Sequence, residues 1–153
     1  MVEGRPFQEE DRRPPPRRSD LITARGLCKR FRNGGTEVDV LQGLDMDLQP
    51  GETLAIIGAS GIGKSTLLHI LGTLDRPDSG SLRFNQDSLF DYPEERLAKF
   101  RNESIGFVFQ FFALIPGLTA YENIELPLLL SGVKKAERQA RAGRLRAAVA
   151  LTE

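Results

Sequence analysis

The segment at 53–74 constrains the fold most, because it places a glycine-rich loop between a short apolar run and a helical pattern. Residues 53–57 (TLAII) form a continuous apolar run bounded by glycines, which is typical of a strand covered on both faces of its sheet. Residues 65–74 carry apolar side chains at helical spacing. A buried strand, a tight turn and a helix in this order predict an α/β protein.

The loop matches the pattern Gly-x-x-x-x-Gly-Lys-Ser at residues 58–65. Its glycines allow positive φ angles, so that successive backbone N–H groups converge on phosphate oxygens beside the positive end of the helix. Lys64 suits the β- and γ-phosphates, and the Ser65 hydroxyl suits Mg²⁺. The pattern predicts a P-loop NTPase (RecA-like) fold that binds ATP and Mg²⁺. The predicted binding residues are Gly58, Ala59, Ser60, Gly61, Ile62, Gly63, Lys64, Ser65 and Thr66.

Residues 1–20 differ from the rest of the chain. They are rich in proline and arginine, and five acidic residues offset five arginines. Such a segment buries too little apolar surface to offset its ordering entropy, which predicts a disordered polar tail. The alternative is a basic arm for phospholipid or nucleic acid, which the balanced charge disfavours.

Residues 21–153 are interpreted as the N-terminal portion of a nucleotide-binding domain, and this portion begins with antiparallel strands. We expect strands at 21–24, 38–48 and 81–84, a turn at Asn33-Gly34-Gly35, and a second buried strand at 105–109. The expected helices cover 65–74, 94–101, 120–130 and 134–151, the last with a basic, solvated face.

Composition excludes some classes. The chain of 153 residues holds 21 basic and 21 acidic side chains, so no net charge favours a nucleic-acid partner. It has no run of eighteen apolar residues and no signal-peptide pattern, so no membrane span is expected. A single cysteine fits a reducing compartment.

Four stretches in order resemble the ATP-binding subunits of ABC transporters. Residues 58–68 resemble the Walker A loop, and residues 74–80 (LDRPDSG) resemble the turn after its helix. Residues 105–110 (IGFVFQ) resemble the Q-loop strand, and 118–124 (LTAYENI) the segment beyond it. The resemblance implies an ABC nucleotide-binding domain with an N-terminal antiparallel β subdomain and a helical subdomain that begins near 111.

Three further stretches are similar to one subgroup. They are 69–75 (HILGTLD), 110–116 (QFFALIP) and 125–130 (ELPLLL). Together they resemble the family of lipoprotein-releasing-system ATP-binding proteins (LolD family), and the macrolide- and antimicrobial-peptide-export ATPases share most of them. The implied function is an ABC-type ATPase that powers release of lipoproteins from the inner membrane. The alternatives are an exporter ATPase or a nucleotide-binding module without hydrolysis.

The resemblance implies roles for two residues outside the loop. Phe31 matches the aromatic residue that stacks on adenine, although a core aromatic is the alternative. Gln110 matches the glutamine that contacts Mg²⁺ and the attacking water and links the nucleotide site to the membrane partner; its alternative is a polar strand end. The implied catalytic residues are Lys64 and Gln110, and the implied metal ligands are Ser65 and Gln110.

Two residues in or near the loop invite other interpretations. Ile62 stands where the family has a small polar residue, a change that binding through backbone groups tolerates. His69 does not match the family's switch histidine and is interpreted as a packing or surface residue.

The resemblance also implies partners. These are integral-membrane permease subunits and a second copy of the cassette, on the cytoplasmic face of the bacterial inner membrane. The family's Leu-Ser-Gly-Gly-type signature, Walker B strand and switch histidine would follow Glu153, so the chain is expected to be the N-terminal part of a cassette. Residues 1–153 alone are then expected to be poorly stable and to hydrolyse ATP negligibly.

Overall fold

The computed structural model describes residues 21–111 and 113–148. The predicted tail at 1–20 and the last residues of the predicted final helix, 149–151, lie outside this part of the chain. The described residues form two compact units. The first contains residues up to 67 together with 76–89, and the second contains 68–75 together with the residues from 90 onward.

An antiparallel sheet builds the first unit. Its four strands lie in the order β2-β1-β3-β4, and each neighbouring pair is antiparallel. Residues 34 and 35 turn the chain between the first two strands, as predicted, whereas β1 extends nine residues beyond the predicted strand end at 24. The strands are β1 (Ile22–Asn33), β2 (Thr36–Leu48), β3 (Ser79–Phe84) and β4 (Asp87–Ser88).

Bulges change which side chains of β2 are buried. The β1–β2 register shifts three times between Ala24 and Arg30, and the Gly43 N–H donates to Cys28 Sγ at 3.2 Å within this irregular stretch. Leu41 is buried, whereas Val38 is 52% exposed. The predicted strand at 38–48 is therefore confirmed, and the bulges reassign its faces so that Leu41, and not Val38, is buried.

The pairing of β3 with β1 depends on a glycine. Gly80 has φ +95, and a Cβ there would lie 2.5 Å from the Gly26 carbonyl oxygen and 2.6 Å from that of Arg25. The two backbones come this close because residue 80 carries no side chain.

In the part of the chain that the structure describes, four α-helices follow the first hairpin. They are α1 (Lys64–Leu71), α2 (Glu94–Ser104), α3 (Ala120–Leu130) and α4 (Lys135–Ala148). Helix α1 ends three residues before its predicted end, because Thr73 adopts a positive φ of 58°. Across 21–111 and 113–148, no helix combines the length and apolar character that crossing a bilayer requires.

Helices α3 and α4 form a hairpin in the second unit. Arg138 Nε lies 3.0 Å from Glu125 Oε1, with both side chains less than one-fifth exposed. Arg138 also donates to the Val133 carbonyl at 2.9 Å in the connection between the helices. One guanidinium therefore holds both α3 and the turn that follows it.

Two predicted strands are wrong in this structure. Residues 53–57 and 105–109 have no strand assignment, and Ile57 and Val108 are 90% and 101% exposed. A strand forms when its backbone groups pair with a neighbour. Among the described residues, no strand pairs with either segment, so their apolar pattern stays in irregular backbone.

Candidate nucleotide-binding site

The glycine-rich loop curls between residue 58 and the start of α1. Gly58, Gly61 and Gly63 have φ angles of 155°, 79° and 103°. A Cβ on Gly63 would lie 2.5 Å from Val40 Cγ1 and 3.0 Å from the Val40 carbonyl oxygen. The last glycine of the loop is therefore fixed both by its φ and by close packing against β2.

The Lys64 ammonium lies across this curl. Its Nζ donates to the Gly58 carbonyl at 2.9 Å and to the Ala59 carbonyl at 2.6 Å. An ammonium has three N–H donors, so these two bonds leave one for an oxygen of a bound anion. The positive charge is held where the loop backbone converges.

Helix α1 begins at Lys64, so its N-terminal end lies at the end of the phosphate loop. The first hydrogen bond at this end runs from the Leu67 N–H to the Gly63 carbonyl at 2.9 Å. By helix geometry, the N–H groups of residues 64–66 have no partner inside the helix. They add donors and a positive dipole end next to Lys64, and the exposed Ser65 adds a hydroxyl. This set of groups can bind phosphate oxygens and a hard cation.

Phe31 lies on β1 in the same compact unit as the loop. It pairs with Val38 of β2, and it is 44% exposed, so it is not a core aromatic. Lys29 Nζ lies 5.3 Å from the ring centroid, in cation–π contact. The exposed ring can stack on a planar ligand.

Ion pairs fix the backbone beside Phe31. Arg30 Nε lies 2.6 Å from Asp39 Oδ1, and its Nη1 lies 3.0 Å from Glu37 Oε2. These carboxylates, Asp39 first, raise the pKa of Arg30 above its ordinary value. The pairs are exposed, so they contribute little to stability and serve mainly to order the hairpin.

Gln110 belongs to the second compact unit. It is exposed and directly follows the irregular segment 105–109. In that segment the rings of Phe107 and Phe109 stack with centroids 5.4 Å apart and planes 7° apart. The structure thus places Phe31 and the loop in one unit and Gln110 in the other.

Asn123 organises the residues that follow Gln110, a role that the sequence did not reveal. Its side-chain amide donates to the carbonyls of Leu118 and Thr119 at 3.2 and 3.0 Å, and Oδ1 accepts from the Ile115 N–H at 2.8 Å. A local signal was present nearby, since Thr119 and Glu122 form the Thr-x-x-Glu capping box that starts α3. The pattern indicates the helix start but not the bonds of Asn123.

Ile62 and His69 occupy surface positions. Ile62 is 61% exposed, and its Cγ2 lies 3.2 Å from where a Cβ on Gly58 would be. His69 is exposed in the last turn of α1, as expected for a surface histidine.

A family model for ABC transporters matches residues 41–153, which include the loop, α1 and Gln110. The chain belongs to the ABC transporter family. The match covers most of the chain, and an antiparallel sheet beside a phosphate loop agrees with the ABC ATPase cassette fold.

Curated relatives of this ABC cassette include two kinds of transport protein. The lipoprotein-releasing system ATP-binding protein LolD of Geobacter metallireducens is 52% identical over 87% of this chain and 59% of the relative. The macrolide export ATP-binding/permease protein MacB of Azoarcus sp. is 49% identical over 87% of this chain and 20% of the relative. The chain spans about half the length of the LolD relatives it matches.

Two solved structures of an ATP-binding cassette resemble most of this chain. The ATP-binding cassette MJ0796, in a dimeric post-hydrolysis state bound to ADP and Pi, has a TM-score of 0.74 and 37% identity. The superposition covers 81% of this chain and 55% of that one. A second dimeric structure of the same bacterial cassette gives a TM-score of 0.73 and 38% identity.

Proposed function

We propose that the chain binds ATP and Mg²⁺ at residues 58–66 and forms part of the ATP-hydrolysing subunit of an ABC transporter of the lipoprotein-releasing kind. The observation that carries this proposal is the position of the Lys64 ammonium on the Gly58 and Ala59 carbonyls, next to the start of α1. The identity of 52% with a LolD protein supports the transporter class.

The loop binds the phosphates through backbone and charge. The N–H groups of residues 64–66 donate to phosphate oxygens, and the dipole of α1 adds a positive end there. Lys64 directs its remaining donor at one phosphate oxygen, and its positive charge lies beside both the β- and γ-phosphates. Because phosphoryl transfer spreads charge over the γ-phosphate oxygens, the same ammonium stabilises the transition state.

The residues present fit a magnesium ion. Mg²⁺ prefers oxygen ligands and retains several waters, so one hydroxyl, one amide oxygen and two phosphate oxygens are a suitable set. The exposed Ser65 hydroxyl at the start of α1 would be one protein ligand, and the resemblance to ABC transporter ATP-binding subunits implies the Gln110 amide as the second. When bound, the ion would supply charge that neutralises the β- and γ-phosphates, and Gln110 would orient the attacking water.

Phe31 would select the base. A ring that is 44% exposed on a strand fixed by ion pairs offers a flat face for adenine. Stacking on an aromatic ring is worth about 1–3 kcal/mol per base. The Lys29 ammonium near the same ring would favour an electron-rich base.

The exposed apolar side chains of the loop after Gln110 support the proposal of a membrane partner. Large apolar side chains in this loop are far more exposed than a monomer usually tolerates in one stretch. We infer that a permease subunit covers them on the cytoplasmic face of the inner membrane, and that a second cassette completes the ATP site. The exposed residues are Phe111 at 78%, Leu114 at 62%, Ile115 at 46% and Leu118 at 37%.

Binding of a fluorescent ATP analogue to the chain tests the site. Lys64→Ala should weaken binding about 10- to 100-fold, because it removes a charge-assisted bond to phosphate. Ser65→Ala should remove most of the magnesium dependence, and Phe31→Leu should weaken ATP more than inorganic triphosphate. Lys99→Ala and Phe111→Leu are matched controls at exposed positions, and equal binding by Lys64→Ala and the unmodified chain would contradict the proposal.

A macrolide-type exporter is the second candidate, since MacB proteins are 45–49% identical over the same 87% of the chain. A segment exchange separates the two. Residues 21–148 are placed in the Geobacter LolD and in the Azoarcus MacB in place of the matching segments. Lipoprotein release with no macrolide export is the expected result, and the reverse result would favour the exporter.

A further inference from the structure

The turn that ends α1 is held in an unfavourable conformation. The Leu74 N–H donates to the His69 carbonyl at 2.8 Å and the Thr73 N–H to the Ile70 carbonyl at 2.9 Å, which is the Schellman pattern. The residue with positive φ in this pattern is usually glycine, but here it is the β-branched Thr73 with φ 58°. Its hydroxyl is buried without a hydrogen-bond partner. Such a turn persists because neighbouring groups hold it.

The groups that hold this turn come from residues 101–107, just before Gln110. Arg101 Nη1 donates to the Thr73 carbonyl at 2.9 Å, while its Nη2 donates to Glu94 Oε1 at 2.9 Å. The Phe107 ring lies on the buried Gly72, where a Cβ would be 2.3 Å from Phe107 Cζ. The last turn of α2 and the segment after it therefore contact two adjacent residues at the end of α1, Gly72 and Thr73.

The contacts form a continuous path to Gln110. Phe107 stacks on Phe109, and Gln110 is the next residue. At its other end, α1 begins at Lys64 within the phosphate loop. The eight residues of α1 form one continuous helix, so its backbone connects the phosphate loop to the turn at 72–73.

We propose that Phe107 and Arg101 are positioning residues that couple the end of α1 to Gln110, so that nucleotide on the loop changes the order of the segment carrying that glutamine. This inference rests on the proposed function of the loop. Phe107 acts by the fit of its ring on Gly72, and Arg101 acts by holding the Thr73 carbonyl. Neither residue touches ATP in this scheme, so their loss separates binding from its effect at Gln110.

Hydrogen exchange of the whole chain, with and without ATP and Mg²⁺, tests the coupling. In the unmodified chain, ATP should slow exchange of peptides covering 105–110 at least threefold. Phe107→Leu and Arg101→Gln should bind ATP within about threefold of the unmodified chain, yet lose more than half of that slowing. Arg101→Lys keeps a donor and should restore part of it. The control Lys99→Gln, at an exposed position of α2, should retain it in full.

A compensating pair makes the contact itself testable. Gly72→Ala pushes a methyl group into the Phe107 ring, and adding Phe107→Leu makes room for it, so the double variant should be more stable than Gly72→Ala alone. If Phe107→Leu does not fold, the Arg101 variants carry the test, since that side chain is partly exposed on α2.

The outcomes separate the two proposals. Absence of ATP binding by the unmodified chain would overturn the proposed function and the coupling with it. Normal ATP binding with no slowing at 105–110, or slowing that survives in both Phe107→Leu and Arg101→Gln, would overturn the coupling alone.

Discussion

The four-stranded sheet and the two apolar segments at 53–57 and 105–109 are built from similar side chains, but their backbones meet different surroundings. In the sheet, β1 pairs with β2 on one edge and β3 on the other, and Leu27 and Leu82 are buried. In the two segments, Ile57 and Val108 lie in solvent. The difference shows that an apolar run acquires strand structure and burial from its neighbours, not from its own composition.

The largest expected effect contrasts a buried and an exposed aliphatic residue. Leu27→Ala should lower the free energy of unfolding by about 3 kcal/mol, because it leaves a cavity at a fully buried position. Val108→Ala should change it by less than about 0.5 kcal/mol. Urea titrations followed by far-ultraviolet circular dichroism measure both. A large cost for Val108→Ala would mean that the segment at 105–109 is covered in solution, and the contrast would fail.

A pair of glycines sharpens the same contrast at the backbone. Gly80→Ala should cost about 2 kcal/mol or more, because the φ of +95 strains alanine and the new methyl group meets two carbonyl oxygens of β1. Gly106→Ala meets nothing within 4 Å and should be nearly neutral. Equal effects of the two substitutions on the unfolding midpoint would contradict the close approach of β3 to β1.

Local signals account for the parts of the molecule that the sequence predicted well. The glycines at 58, 61 and 63 and the pair at 34 and 35 all have positive φ, and glycine is the residue that favours it. The loop, the first hairpin and the existence of all four helices followed from such signals. The bounds of α3 were also predicted, because its apolar run begins just after Thr119.

Non-local packing accounts for the rest. The strands at 53–57 and 105–109 were predicted from composition, but their pairing depends on residues distant in sequence. The bulges that bury Leu41 come from the register between two strands. Within the candidate site, Lys64 and Ser65 were predicted from the spacing of the glycine-rich pattern. The contact of Phe107 with Gly72 joins positions 35 residues apart, and no local sequence pattern predicts it.

Two threonines with buried, unpartnered hydroxyls extend the comparison to the turn after α1. Thr73→Gly should raise the free energy of unfolding by about 1 kcal/mol, because relief of positive-φ strain outweighs the added chain entropy. Thr23→Gly should lower it, since Thr23 lies in extended backbone in the central strand β1. Stabilisation by both substitutions would assign the effect to the hydroxyl groups instead of the turn conformation.

The smallest expected effect concerns acid sensitivity of the second unit at the start of α3. The Glu122 carboxylate accepts from the Thr119 N–H at 2.7 Å and the Thr119 hydroxyl at 2.8 Å, and these bonds lower the pKa of Glu122. A carboxyl group with a lowered pKa in the folded state stabilises it above the ordinary value of 4.5, and that contribution is lost as the pH falls through the lowered pKa. Glu122→Gln keeps an acceptor for the cap but cannot titrate, so exchange of the α3 amides should depend less on pH between about 2 and 5 than in the unmodified chain, after correction for intrinsic exchange. Glu103→Gln in α2 leaves the cap intact and should keep the pH dependence of exchange. If the pH profile of Glu122→Gln matches that of the unmodified chain, the cap does not set the acid sensitivity of α3.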